Sequence, residues 1–298
     1  MNTDFIKGII PPIITPVTED EKIDEGALRA HIDYMIDEGI SGILVCGSNS
    51  EFYVFEEDEM EENLRITLSQ VNGRIPVYLG VGAIRTSKCV RIARMGVRLG
   101  ANAISILQPM FVKPSEDELF THFKTIIESV PETPVLLYNN PGRTGYPMGQ
   151  NLVERLAHSL PNLAGMKDSS GDLTETLEFI RRNRDVKFKV LVGKDTLIYP
   201  GLVCGAAGAV CSTANYMPEL VCPIYEKFVE GDLTGALEAQ FILNPIRLAT
   251  DGSTFPVATK DCVNIRGRKA GKPVLPLKPS PPAQMERLLR EMEKGGLL

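Results

Sequence analysis

Lys167 stands in the stretch GMKDSS (165–170), between an apolar run and a series of small polar residues. The run leading into it, LAGM, has the composition of a buried strand, and a lysine at such a strand's end is unusual. Taken alone, it could be a surface side chain or a partner for Asp168. At the mouth of a barrel it can do chemistry. Burial among apolar side chains disfavours the ammonium and favours the free amine, and a free amine attacks a ketone to form an imine. A protonated imine is an electron sink for a carbanion beside it. Imine formation needs a proton shuttle, and Tyr138, in PVLLYNN (134–140), is a phenol that could stand beside Lys167 and serve as one. GSNSE (47–51) offers a turn of small polar residues ahead of a helix. Backbone N–H groups at such turns hold carboxylates, and Ser48 and Asn49 add side-chain donors. As an isolated motif it is equally a capped β–α turn. Arg143 follows Pro141–Gly142 in a predicted loop, where a planar guanidinium suits a second carboxylate.

These residues act together only if one architecture collects them. Eight short apolar runs, at 9–17, 42–47, 76–82, 103–109, 134–140, 163–169, 189–195 and 207–213, alternate with segments of helical periodicity. EGALRAHIDYMIDEG (25–39), with Leu28, Ile32 and Met35 on one face, is one such segment. Eight βα units of roughly 30 residues fit a (β/α)8 (TIM) barrel better than a doubly wound sheet. In that fold, chemistry sits at the C-terminal ends of the strands, where Lys167, Tyr138 and GSNSE all fall. The acidic run EEDEMEE (56–62) opens a predicted helix, where the dipole favours carboxylates. No GxxxxGK[ST] is present, and a GxGxxG after Gly80 and Gly82 would need glycine where Arg85 stands. The segments after 224 read as further helices joined by the proline-rich GKPVLPLKPSPP. We divide the chain into a barrel (1–224) and a C-terminal helical appendage packed on it (225–298).

Composition narrows the function. The chain has 298 residues, 43% hydrophobic and 23% charged, ample for a large core. Its net charge of −6, with no Lys/Arg cluster, argues against a nucleic-acid surface. No apolar run reaches the roughly 18 residues needed to cross a bilayer. MNTDFIKGII lacks the layout of a secretory signal, so a cytoplasmic protein is expected. Six cysteines without CxxC spacing read as reduced thiols, and three scattered histidines offer no metal site. No cofactor is expected.

The motifs carry a resemblance. GIIPPIITPV (8–17), GSNSE, YNNPGRTG (138–145) and GMKDSSG (165–171), in this order, make the chain resemble the dihydrodipicolinate synthase / N-acetylneuraminate lyase family of pyruvate-dependent class I aldolases. The resemblance implies a Schiff base at Lys167, Tyr138 as proton relay, and Ser48 with Asn49 on the pyruvate carboxylate. It also implies the Val210 carbonyl facing the keto-acid pocket, Arg143 on the aldehyde's carboxylate, and a homotetramer. The condensation of pyruvate with an aldehyde such as aspartate semialdehyde is the first expectation. Cleavage or dehydration of a 2-keto-3-deoxy sugar acid is the second, and a non-catalytic keto-acid-binding relative the third. Two departures bear on the choice. Asn49 and Ser50 replace a threonine and a glycine of the synthases' G-T-T-G-E, and Met110–Phe111 replaces the tyrosine that those enzymes lend across a subunit interface.

Overall fold

The computed structural model describes residues 1–298. Eight parallel strands carry the chain around a barrel: β1 (Gly8–Ile10), β2 (Ile43–Val45), β3 (Val77–Val81), β4 (Ala103–Leu107), β5 (Val135–Asn139), β6 (Leu163–Asp168), β7 (Lys189–Val192) and β8 (Gly208–Val210). Seven lie inside the apolar runs, and β1 begins one residue ahead of the first, at Gly8. Around them pack α1 (Glu25–Asp37), α2 (Glu57–Val71), α3 (Thr86–Leu99), α4 (Glu116–Glu128), the single turn α5 (Pro141–Thr144), α6 (Gln150–Ser159), α7 (Leu173–Arg182), α8 (Ile198–Val203) and α9 (Pro218–Glu230). Three longer-range helices follow: α10 (Leu233–Ala249), α11 (Val257–Ile265) and α12 (Pro282–Lys294). Helix α9 follows β8, lies against β1 and packs along α10.

The hydrogen-bonded order runs β1–β8–β7–β6–β5–β4–β3–β2. Between β1 and β2 the ladder thins to a parallel bridge, Pro12 to Leu44, with a few flanking hydrogen bonds. The reason lies in the sequence. Pro11 and Pro12 have no N–H to give, so β1 cannot extend its ladder.

The barrel interior is a packed core rather than a pore. Ile10, Leu44, Tyr78, Ala103, Leu136, Ala164, Leu191 and Val210, one from each strand, meet there with Ile6 in a cluster separate from the outer core. A 66-residue cluster joins the outer strand faces to the helices. The interior cluster closes the lower barrel and leaves the C-terminal mouth to polar groups. The acidic run begins α2, with a capping box between Glu56 and Glu59, and Glu57 and Glu61 pair with Arg91 and Arg98 of α3.

Candidate active site

Lys167 is the fifth residue of β6 and sits opposite Tyr138 of β5 in the parallel register. Side chains alternate along a strand, so Lys167 would not face the same way as the interior Ala164 on a regular β6. The register slips by one residue between Val135 and Leu136, absorbing the odd spacing. Ala164 therefore packs in the lower barrel while Lys167 shares the mouth with Tyr138. Gly165 makes the slip possible, because a Cβ there would stand 2.1 Å from the Lys189 carbonyl oxygen.

The Lys167 Nζ lies 4.1 Å from the centroid of the Tyr138 ring, and both residues are buried. Asp168 does not neutralise the lysine. Its carboxylate accepts from Asn139 Nδ2 (2.8 Å), Ser170 Oγ (2.9 Å) and Thr176 Oγ1 (2.6 Å), which anchor the loop after β6. The phenol oxygen of Tyr138 accepts from Asn140 Nδ2 at 2.7 Å and lies 3.4 Å from Ser48 Oγ. Burial pushes this phenol up, but the Lys167 charge and the hydrogen bonds from Ser48 and Asn140 outweigh burial and hold it below its usual value. A phenol with a lowered pKa exchanges its proton more readily near neutral pH.

Ser48 and Asn49 begin the 3₁₀ turn Ser48–Ser50, whose leading N–H groups have no partner within the turn. Asn49 is fixed at both ends of its amide. Nδ2 donates to Ser212 Oγ (2.7 Å), and Oδ1 accepts from Thr259 Oγ1 of α11 (3.2 Å). Ser50 Oγ donates to the Ile13 carbonyl at 2.5 Å. Glu51 closes the turn in a left-handed backbone conformation (φ 56°), and its wholly buried carboxylate meets Lys260 Nζ of α11 at 2.5 Å. Its other oxygen accepts from the Val274 N–H at 2.9 Å. The C-terminal helices thus lock the turn from outside the barrel.

These groups line a cavity of about 300 Å³ at the mouth. Lys167, Tyr138, Ser48, Asn49 and Arg143 all reach it. Val210 does not line it; this residue ends β8 with its side chain in the lower barrel. Arg143 was expected on a loop and is found on the one-turn helix α5, because Pro141 presets the first helical φ. Its guanidinium lies over the Phe255 ring, 4.4 Å from the centroid. Phe111 is 95% exposed, with φ 72°, and is not part of the cavity.

Among the other lining residues, Asn140, Lys194, Asp195 and Ser212 fall in strand-end runs marked in the sequence but were given no role, whereas Arg247 and Phe255, from the C-terminal segment, escaped the reading of the sequence. Lys194, Asp195 and Ser212 lie at the ends of β7 and β8, where the barrel rule puts such residues. Arg247 is one arginine in an apolar helical segment, and nothing local marks it as reaching the barrel.

An amine and a phenol side by side at the C-terminal mouth of a (β/α)8 barrel define the class of the carbon–carbon lyases built on this fold. The comparisons narrow the class. The model of the dihydrodipicolinate synthetase family matches residues 5–292, and the chain belongs to this family. It is 35% identical over 294 residues to a 4-hydroxy-tetrahydrodipicolinate synthase of Methanopyrus kandleri, covering 98% of this chain and 97% of that one. A Thermus thermophilus protein of the same name is 35% identical over 297 residues, covering 99% and 98%. Among solved structures, dihydrodipicolinate synthase from Thermotoga maritima superposes with a TM-score of 0.95 at 27% identity, covering 99% of this chain and 100% of that one. A prophage protein of the same family from Escherichia coli K12, in complex with pyruvate, superposes with a TM-score of 0.95 at 27% identity over 98% and 99%.

Proposed function

We propose that this protein condenses pyruvate with an aldehyde through an imine on Lys167, as a 4-hydroxy-tetrahydrodipicolinate synthase does with aspartate semialdehyde. The observation that carries this reading is Lys167 Nζ set 4.1 Å over the Tyr138 ring, without a neutralising carboxylate, at the barrel mouth. The lysine amine adds to the pyruvate ketone, and the carbinolamine oxygen leaves as water after proton transfer from Tyr138. Loss of a proton from the pyruvate methyl gives the enamine. Its terminal carbon bonds to the aldehyde carbon, and the aldehyde oxygen takes a proton to become a hydroxyl. With aspartate semialdehyde, the substrate's own amine then displaces the lysine at the imine carbon. That step closes a six-membered ring bearing the hydroxyl and frees Lys167.

Ser48 links the Tyr138 phenol to solvent, and with Asn49 and the turn's free N–H groups it holds the pyruvate carboxylate. The Val210 carbonyl borders the keto-acid site, and Arg143 takes an acidic group of the aldehyde. The protein is cytoplasmic and works as a homotetramer. Exposed Tyr53, Ile84, Phe111 and Val112, on the loops after β2, β3 and β4, supply apolar surface for such contacts. No helix is long and apolar enough to cross a membrane. The test is borohydride reduction with pyruvate followed by peptide mass mapping. One pyruvyl unit on Lys167 is expected, with no trapping in Lys167→Ala. A label on another lysine, with Lys167 unmodified, overturns the mechanism.

A further inference from the structure

We propose that Asn140 is a positioning residue for proton transfer: its side-chain N–H aims the Tyr138 phenol and steadies the phenolate left when the proton moves. This role rests on the reading of Tyr138 as the relay to an imine on Lys167, and it adds a residue to that relay.

Residues 138 and 140 stand on one face of the chain at the end of β5, and Asn139 points to the other. The difference shows in their partners. Asn139 is spent on the scaffold: Nδ2 donates to Asp168 Oδ1 (2.8 Å), and Oδ1 accepts from the Met148 N–H (3.0 Å). Asn140 lines the catalytic cavity, and its Nδ2 donates to the Tyr138 phenol oxygen at 2.7 Å. Ser48 Oγ, the other hydrogen-bond neighbour of that oxygen, is 3.4 Å away. Hydrogen bonds weaken with length, so Asn140 holds the phenol more firmly. Its own backbone is well anchored. The Asn140 carbonyl accepts from the Arg143 and Thr144 N–H groups and from Thr144 Oγ1, each at 3.0 Å. Buried Thr144 accepts in turn from Gln108 Nε2, just past β4, at 2.8 Å.

The Asn140 amide makes no capping bond to α5, so its one side-chain hydrogen bond is the one to the phenol. That bond occupies a lone pair of the phenol oxygen. It leaves the O–H free to point at Ser48 or at a carbinolamine oxygen above Lys167. The same bond favours the phenolate over the phenol. Burial pushes Tyr138 up, and the Lys167 charge, Ser48 and Asn140 together bring it below the usual tyrosine range. Of the chain's eight tyrosines, Tyr34, Tyr53, Tyr78, Tyr146, Tyr216 and Tyr225 are pushed the other way by burial, so Tyr138 should titrate ahead of them.

Two measurements test this role. Ultraviolet titration of tyrosinate, with the Tyr138→Phe curve subtracted, gives the midpoint of the Tyr138 phenol. Asn140→Leu keeps a side chain of similar size without the N–H and should raise that midpoint by about one pH unit or more. Asn140→Ala, which leaves room for a water in place of the amide, should raise it by less, and it decides the matter if the leucine variant does not fold. A midpoint that stays in place or falls overturns the proposal; a fall would mean that the amide oxygen faces the phenol and accepts its proton. The second measurement is exchange of deuterium from D2O into the pyruvate methyl group, which needs the imine and enamine but no aldehyde. Asn140→Leu should slow exchange at saturating pyruvate at least about threefold while KM stays within about twofold. In the Tyr138→Phe background the same substitution should cost nothing further. An equal loss in both backgrounds, or a loss confined to KM, overturns the proposal, because Asn140 would then act by packing or by holding pyruvate. Absence of borohydride trapping at Lys167 in the parent overturns the imine reading instead, and the titration still decides the Asn140 bond on its own.

Discussion

At the scale of the residue, the proposed chemistry rests on a phenol held between its neighbours. Tyr138 has Lys167 against its ring and Ser48 and Asn140 at its oxygen. Tyr138→Phe keeps the ring that packs under the ammonium and removes only the hydroxyl. General acid–base groups contribute about 10²- to 10⁴-fold, so kcat should fall within that range while pyruvate trapping at equilibrium changes little. A near-normal kcat would show that the proton moves by another route. That Lys167, Tyr138, Ser48 and Asn49 meet at the barrel mouth was legible because strand ends can be read from apolar runs, although their roles remain the proposal made above. Arg247 and Phe255 were not legible. Each reaches the site through the packing of a C-terminal segment on the mouth, and that packing depends on contacts far apart in sequence.

At the scale of the element, two devices fix where these groups stand. The first is the one-residue slip in β6, which periodicity cannot reveal because LAGMKD reads as an unbroken strand. Its cause is legible only afterwards, in the contact that a Gly165 side chain would make with the Lys189 backbone. Gly165→Ala should force β6 away from β7, lower the thermal midpoint and reduce pyruvate trapping at Lys167. Unchanged stability and trapping would show that the strand tolerates a Cβ there. The second device is the buried pair of Glu51 and Lys260. Removing one partner leaves an uncompensated buried charge, which costs about 3–5 kcal/mol. Lys260→Met should therefore destabilise by that order in urea unfolding, whereas Glu51→Gln with Lys260→Met together should recover a large part. Equal losses in the single and double variants would mean that the pair contributes through packing alone. The sequence showed Glu51 as the end of GSNSE and Lys260 as one helical lysine, with nothing to say that they meet across 209 positions.

At the scale of the whole molecule, two buried histidines make the fold sensitive to acid. His31 of α1 lies in the core, and its Nε2–H donates to Asn215 Oδ1 at 3.3 Å, since the Asn215 amide nitrogen is committed to the Pro12 and Ser212 carbonyls. Its Nδ1 has no partner. Burial, aided by the charge of Arg268, lowers its pKa to about 4. His122 of α4, bonded through Nδ1 to Thr86 Oγ1 at 2.9 Å, is lowered by burial to about 4 as well. Both rings stay neutral in the folded chain at pH values where the unfolded chain protonates them. Their contribution is therefore complete above the unfolded value of about 6.5 and is lost as pH falls from there toward 4. His158 shifts the opposite way: the Glu154 carbonyl and Asp185 raise its pKa, so its small, solvent-screened contribution is present below 6.5 and fades as pH rises. Between pH 7 and 5.5 each buried histidine should remove about 1 kcal/mol, a window that lies above the titration of ordinary carboxylates. His31→Gln preserves a side-chain N–H for Asn215 and abolishes one of the two titrations. Urea midpoints measured at both pH values should fall for the parent, and by roughly half as much for His31→Gln. A parent whose midpoint does not move, or a variant that loses as much as the parent, would place the acid sensitivity in other groups.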